Sequence, residues 1–283
     1  MPEAEFVESG DGTRIGYLKE GTGPGLVLVQ GAMGDVRSYR DFAAALSTRF
    51  TVITAERRGR GLSPRTFDGR HTIDRDVEDV AAVMRATGAA YLFGLSSGAV
   101  ITLEAARTLD LVRRAVVYEP PFYPEGISRE GIAALNSEIE NGSLSSALVG
   151  SLLTARTAPA VIRRAPRALA RLLARFVLEV DARRPGDRAL LRNLLPGVRY
   201  DFAVVAGVDG QMESFATIDK PVLVLSGSRS PAFLQQSARQ LVEILADARL
   251  VRLKGLGHDG PWNSGDPLAV ANAVGNFLVP SVP

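Results

Sequence analysis

Residues 92–100 read LFGLSSGAV, an apolar run closed by two serines that Gly94 and Gly98 flank. Gly94-Leu95-Ser96-Ser97-Gly98 fits G-x-S-x-G, with a strand-like stretch before it and a helix-like stretch after it. A strand that turns abruptly into a helix crowds the backbone around its central residue, so side chains at 94 and 98 would clash. The central residue is then strained, and its Oγ projects beyond the sheet edge. Ser96 is therefore the candidate nucleophile. The Ser97 amide opens the helix, where the N–H groups and the dipole favour negative charge, and is a candidate oxyanion donor.

Outward from this turn, short apolar runs alternate with amphipathic stretches. Strands are expected at 4–8, 14–19, 26–30, 49–56, 89–95, 113–119, 220–227 and 248–255. Helices are expected at 36–47, 73–88, 97–109, 232–247 and 267–278. Such alternation predicts a mostly parallel sheet of eight strands with helices on both faces, an α/β fold. Between 123 and 216 the rhythm stops and the pattern is helical. The chain is thereby divided into a first core segment (1–122), an insert (123–216) and a second core segment (217–283). Within the insert, Leu169, Leu172, Leu173, Phe176, Val177 and Val180 form an apolar stripe opposite Arg164, Arg167, Arg171 and Arg175. Those arginines read as a solvated face or as a positive entrance for acidic substrates.

Composition narrows the chemistry. The 283 residues are 46% hydrophobic and 23% charged, with a formal net charge of +2, so nucleic acid is not an expected partner. There is no cysteine, which excludes disulfides, thiolate catalysis and cysteine-based zinc sites. With only His71 and His258, a multi-histidine metal cage is also excluded, and no metal or cofactor is expected. MPEAEFVESGDG lacks the basic and apolar segments of a signal peptide, and no apolar run reaches the roughly 18–20 residues of a membrane span. A cytoplasmic location without membrane association is the expectation.

A serine hydroxyl needs a base to take its proton. His71 lies in the polar FDGRHTIDRD and reads as an exposed loop residue. His258 lies in LKGLGHDGPW, directly after the last strand and at the sheet edge that carries the serine turn. His258 is thus the candidate base.

Taken together, VQGAMGD (29–35), AERRGRGLSP (55–64), GLSSGA (94–99), VVYEPPF (116–122), LVLSGSRSPAF (223–233) and LKGLGHDGPW (253–262) resemble the α/β-hydrolase fold over nearly the whole chain. The SPAF-like and YEPP-like stretches are similar to a bacterial subset of that family. The resemblance implies an inserted helical cap over the active site and a second oxyanion amide from the loop after the third strand, here Ala32. Two departures stand out: Gln30-Gly31 replaces the frequent His-Gly, and Gly227-Ser228-Arg229-Ser230-Pro231 carries no aspartate where the family often places its acid. Some family members place that acid at the end of the sixth strand, which here is Glu119, stiffened by Pro120 and Pro121. Asp201, Asp209, Glu213 and Asp259 are the alternatives, and Glu119 paired structurally with Arg57 or Arg58 is the bland one. Gln30, Met33, Tyr39, Phe122, Tyr123 and Trp262 fall in stretches expected to border the pocket. The expected activity is cofactor-free hydrolysis of an ester, thioester or lactone of a small to medium apolar molecule. Acyl transfer, lyase or cyclase chemistry, and ligand binding without catalysis are the rivals.

Overall fold

Short runs rich in Val, Leu and Ile form the strands of this computed structural model, which describes residues 2–184 and 189–279. The first half contains β1 (Ala4–Glu8), β2 (Arg14–Glu20), β3 (Gly25–Val29), α1 (Arg40–Leu46), β4 (Thr51–Ala55) and α2 (Ile73–Thr87). It continues with β5 (Tyr91–Leu95), α3 (Ser97–Thr108) and β6 (Arg114–Tyr118). Among the described residues, helices then follow without a strand: α4 (Arg129–Glu140), α5 (Leu144–Thr154), α6 (Ala160–Arg164), α7 (Arg167–Ala182), α8 (Leu191–Leu194) and α9 (Val198–Gly207). The chain returns to the sheet with β7 (Val222–Gly227), α10 (Ala232–Ile244), β8 (Ala248–Leu253) and α11 (Pro267–Leu278).

The eight strands lie in the order β1-β2-β4-β3-β5-β6-β7-β8. β1 and β2 pair antiparallel, and β2 pairs antiparallel with β4, while all pairs from β4 to β8 are parallel. Successive side chains of a strand point to opposite faces, and the central strands are apolar on both. Val27, Leu92, Val117 and Val224 pack under α2, α3 and α10. Leu28, Phe93, Val116 and Leu225 pack under α1 and α11. Each such burial is worth about 1.5–3 kcal/mol, so the register of the central strands is firmly set. That register places Leu95 opposite Tyr118 at the carboxyl ends of β5 and β6.

One expectation is corrected here, and a second is filled in. The first turn of the segment 36–47 is a 3-10 turn, Val36–Tyr39, before α1 begins; Asp35 and Ser38 form a reciprocal cap that closes it tightly. The second concerns only the buried contacts of α7, on which the expected stripe is silent: its larger members face outward. Ala170 and Ala174 are the buried apolar contacts of this helix, whereas Leu172 and Phe176 are more than 60% exposed. Small alanines let α7 approach α5 closely, and a close approach turns the larger residues outward.

Candidate active site

The serine turn is shaped by glycine at three places. A Cβ on Gly94 would overlap Gly98 O and Thr102 Oγ1, and one on Gly98 would overlap Val29 O and Gln30 O. A Cβ on Gly31 would sit 2.9 Å from Leu95 O and 3.0 Å from Ser96 Cβ, so the neighbouring loop can approach only because position 31 is bare. Ser96 adopts φ 55°, ψ −122°, outside the regions open to ordinary L residues. Its amide donates to Tyr118 O at 2.9 Å, which ties the turn to the end of β6.

One residue after Tyr118, Glu119 turns into the left-handed region at φ 49°, beside Pro120 and Pro121. Its carboxylate is fully buried and its acceptors are matched. Oε2 lies 2.7 Å from His258 Nδ1. Oε1 accepts from the Gly227 amide at 2.7 Å and from Ser226 Oγ at 3.1 Å. The end of β7, which lacks an aspartate, thus donates to the glutamate of the neighbouring strand. Because a carboxylate accepts at Nδ1, that nitrogen carries the proton and Nε2 is the basic one. The histidine loop is braced as well: Tyr118 Oη donates to Gly257 O at 2.6 Å. Burial, with the Glu119 and Asp259 carboxylates nearby, pushes the Tyr118 phenol far above its usual range, so it remains a donor.

Ser96 and His258 open onto one cavity of about 420 Å³. Ser96 Oγ makes no hydrogen bond with His258 among the described residues, and such contacts often tighten only when substrate is bound. Ala32 and Ser97 flank the serine, and neither amide has a hydrogen-bond partner among the described residues. From the core, Met33, Leu95, Pro231 and Trp262 line the cavity. The insert supplies apolar walls from Leu148, Leu152, Val198 and Phe202, while Ser151, Thr157 and Asp259 add the polar edge. Its described lining contains no lysine or arginine.

The remaining expectations fare unevenly. Met33 and Trp262 border the cavity, but Gln30, Tyr39, Phe122 and Tyr123 do not. Gln30 and Tyr39 are fully buried beneath the loop after β3. Phe122 packs into the core against Phe215, at 5.6 Å between ring centroids. Tyr123 stacks on Phe233 at 5.1 Å and donates to Ala155 O at 3.3 Å. The double proline fixes the chain after Glu119 so that both rings turn away from the serine. Among the alternative acids, Asp201 is taken by Arg57 and Arg60, Asp209 accepts from the Ile127 amide at 3.1 Å, and Glu213 is exposed. Asp259 borders the cavity, but the Nδ1 of its neighbour His258 is already engaged. Arg57 and Arg58 pair with aspartates, not with Glu119. His71 has a buried side chain, against expectation: its Nε2 lies 2.6 Å from Asp76 Oδ2 and its ring packs edge-on to Tyr200. Sequence reading missed the Arg57–Asp201 contact, since 144 residues separate the partners. The run of arginines at 57, 58 and 60 was the visible signal that carboxylates had to converge there.

The model of the alpha/beta hydrolase family matches residues 26–273. The chain belongs to the alpha/beta hydrolase family. Polyketide synthase ThaQ of Burkholderia thailandensis is 30% identical in an alignment 272 residues long that covers 90% of this chain and 12% of that protein. The 2-(acetamidomethylene)succinate hydrolase of Mesorhizobium japonicum is 33% identical over 132 residues, 46% of each protein. The chain therefore spans under half the length of either curated relative. A crystal structure of an alpha/beta hydrolase from Sphaerobacter thermophilus superimposes with a TM-score of 0.78 at 28% identity, covering 97% of this chain and 100% of that one.

Proposed function

We propose that the chain is a cofactor-free serine hydrolase that cleaves an ester, thioester or lactone of a small to medium apolar molecule. The observation that carries this reading is the 2.7 Å contact between Glu119 and His258, with His258 and the strained Ser96 on one cavity. His258 Nε2 takes the Ser96 proton as Oγ attacks the carbonyl carbon. The new C–O bond pushes an electron pair onto the carbonyl oxygen, which the Ala32 and Ser97 amides receive. As that pair returns, the bond to the leaving group breaks and the imidazolium protonates the leaving oxygen or sulfur. Water then repeats the sequence on the acyl-enzyme, with His258 again as base. Glu119 keeps the proton on Nδ1 and stabilises the imidazolium.

The substrate class follows from the walls. The helices between β6 and β7 act as a cap, and their leucines, with Phe202, give the acyl group an apolar seat. With Asp259 at the edge and no cation among the described lining, a carboxylated acyl group is disfavoured. Although one relative is named for a succinate, the reading here is a neutral substrate.

A fluorophosphonate probe tests the reaction class: the wild-type protein should be labelled and Ser96→Ala should not. A series of nitrophenyl esters of rising acyl length tests the seat. Neutral acyl chains should be turned over far faster than the nitrophenyl monoester of succinate. The apolar cavity also favours acyl transfer to an alcohol as a second reading, and product analysis with added alcohol separates the two.

A further inference from the structure

We propose that Asp201, a residue of the helical insert, is a positioning residue that locks both halves of the oxyanion hole. The inference rests on the serine-hydrolase reading and extends it to a group that touches no substrate. Asp201 sits on α9 and is 2% exposed. Its Oδ1 accepts from Ser97 Oγ at 2.6 Å and from Arg57 Nη1. Its Oδ2 accepts from Arg60 Nη2 at 2.5 Å.

Each partner leads to an oxyanion donor. Ser97 carries one amide itself, so its side-chain bond to Asp201 pins the first residue of α3. Arg60 Nη1 donates to Gly31 O at 3.0 Å and to Gly34 O at 2.8 Å, the two carbonyls that bracket Ala32 and Met33. Arg57 Nη1 donates to Gln30 O at 3.2 Å and to Ser97 Oγ at 3.0 Å, linking the two halves directly. Met33, in the middle of the bracketed turn, has φ 60°. A strained turn of this kind persists only when its surroundings over-determine it, and Arg60 is the brace.

A single carboxylate thus serves two buried guanidinium groups and one hydroxyl. Charge-assisted bonds are short and directional, whereas a buried ion pair is weak evidence for net stability. What the cluster secures is geometry. On the far side, Asp76 reaches Arg57 Nε at 3.3 Å and His71 at 2.6 Å, so Nε of the guanidinium is held as well. The consequence is mechanistic: Asp201 belongs to the insert, while every group it holds belongs to the sheet domain. Seating the insert over the core and assembling the oxyanion donors are therefore one event.

The test is Asp201→Asn, with Ser97→Ala as a second variant that keeps the amide and removes only the Oγ link. Circular dichroism reports folding, and Ser97→Ala decides the question if Asp201→Asn does not fold. Three quantities are read: the fluorophosphonate labelling rate, kcat and KM on a short nitrophenyl ester, and the pH midpoint of kcat/KM. Labelling and kcat should fall roughly 10- to 100-fold, short of the ~10²–10³ lost when a donor is deleted outright. For Ser97→Ala, KM and the pH midpoint should stay put, because that variant leaves α9, the acyl seat and the Glu119–His258 pair untouched. A purely structural role would lower thermal stability and leave kcat of the folded protein intact, and that result overturns the inference. If the wild-type protein is not labelled at all, the serine-hydrolase reading falls first and takes this inference with it. Labelled wild type with equally fast variants sinks this inference alone.

Discussion

At Ser96 the backbone holds a conformation that costs about 1–3 kcal/mol for a residue with a side chain, and it is not alone. Of the four non-glycine residues with positive φ among the described residues, three are Met33, Ser96 and Glu119. Strain is therefore concentrated around one cavity, where it aims a hydroxyl, a carboxylate and a loop. Glycine at 94 and 98 is what makes the first of these possible. Gly98→Ala should destabilise the protein by more than about 3 kcal/mol, since its Cβ would meet two carbonyl oxygens that cannot yield separately; chemical denaturation measures it. Glu119 offers the sharper chemical test. Glu119→Gln keeps the volume but removes the charge that orders His258, so kcat should fall by about 10⁴ while the circular dichroism spectrum is unchanged. A variant that turns over a good ester at near wild-type rate would mean that another group orders the imidazole.

The elements that sequence reading located best are those whose two faces are both apolar. β3, β5, β6 and β7 appear within a residue or two of the expected spans, because a buried strand leaves a contiguous run with turn residues at each end. The serine turn and the histidine loop were legible for the same reason, being punctuation at the ends of such runs. Glu119 was singled out by its place at a strand end where some members of the resembling family carry an acid, and its carboxylate lies 2.7 Å from His258 Nδ1. Legibility failed in the insert and in the pocket, where contacts depend on how separate helices meet. Phe122 and Tyr123 follow Glu119 closely, yet nothing in YEPPFY states which way two prolines will turn their rings. α7 was legible as a helix with an apolar stripe, but period says only that a helix has two unlike faces, not which one is buried. Alanine, the smaller residue, faces α5, and the larger ones face solvent. Replacing Leu172 or Phe176 by serine should therefore change stability by less than about 0.5 kcal/mol. Leu195→Ala, at a fully buried position of the same insert, should cost about 2–5 kcal/mol. Parallel urea titrations decide between this arrangement and an inward stripe, which would reverse the order.

Across the whole molecule, buried charge is unevenly matched, and the mismatch should appear in the pH dependence of stability. The arginine clusters are compensated: burial alone would raise Asp76, but Arg57 and His71 hold its carboxyl down at about 2. Its folded value lies below its unfolded one, so its contribution is present above about pH 4 and lost as pH falls through 2. Glu56 is the opposite case. It is 2% exposed, and burial together with nearby Asp35 pushes it from 4.5 up to about 7, against the pull of Arg60. A carboxyl raised in the folded state favours folding while both states are protonated, below about 4.5. That advantage disappears as pH rises through 7, where the folded protein must carry a poorly solvated charge. A rise of this size corresponds to a penalty of order 3 kcal/mol at alkaline pH. Glu56→Gln keeps the shape and abolishes the titration, so it should match the wild-type protein near pH 4 and exceed its stability by up to that amount at pH 8. Urea unfolding at pH 4, 6 and 8 reads the difference directly. A gap between the two proteins that stays constant across this range would show that Glu56 does not titrate with folding, and the alkaline side of the stability curve would need another source.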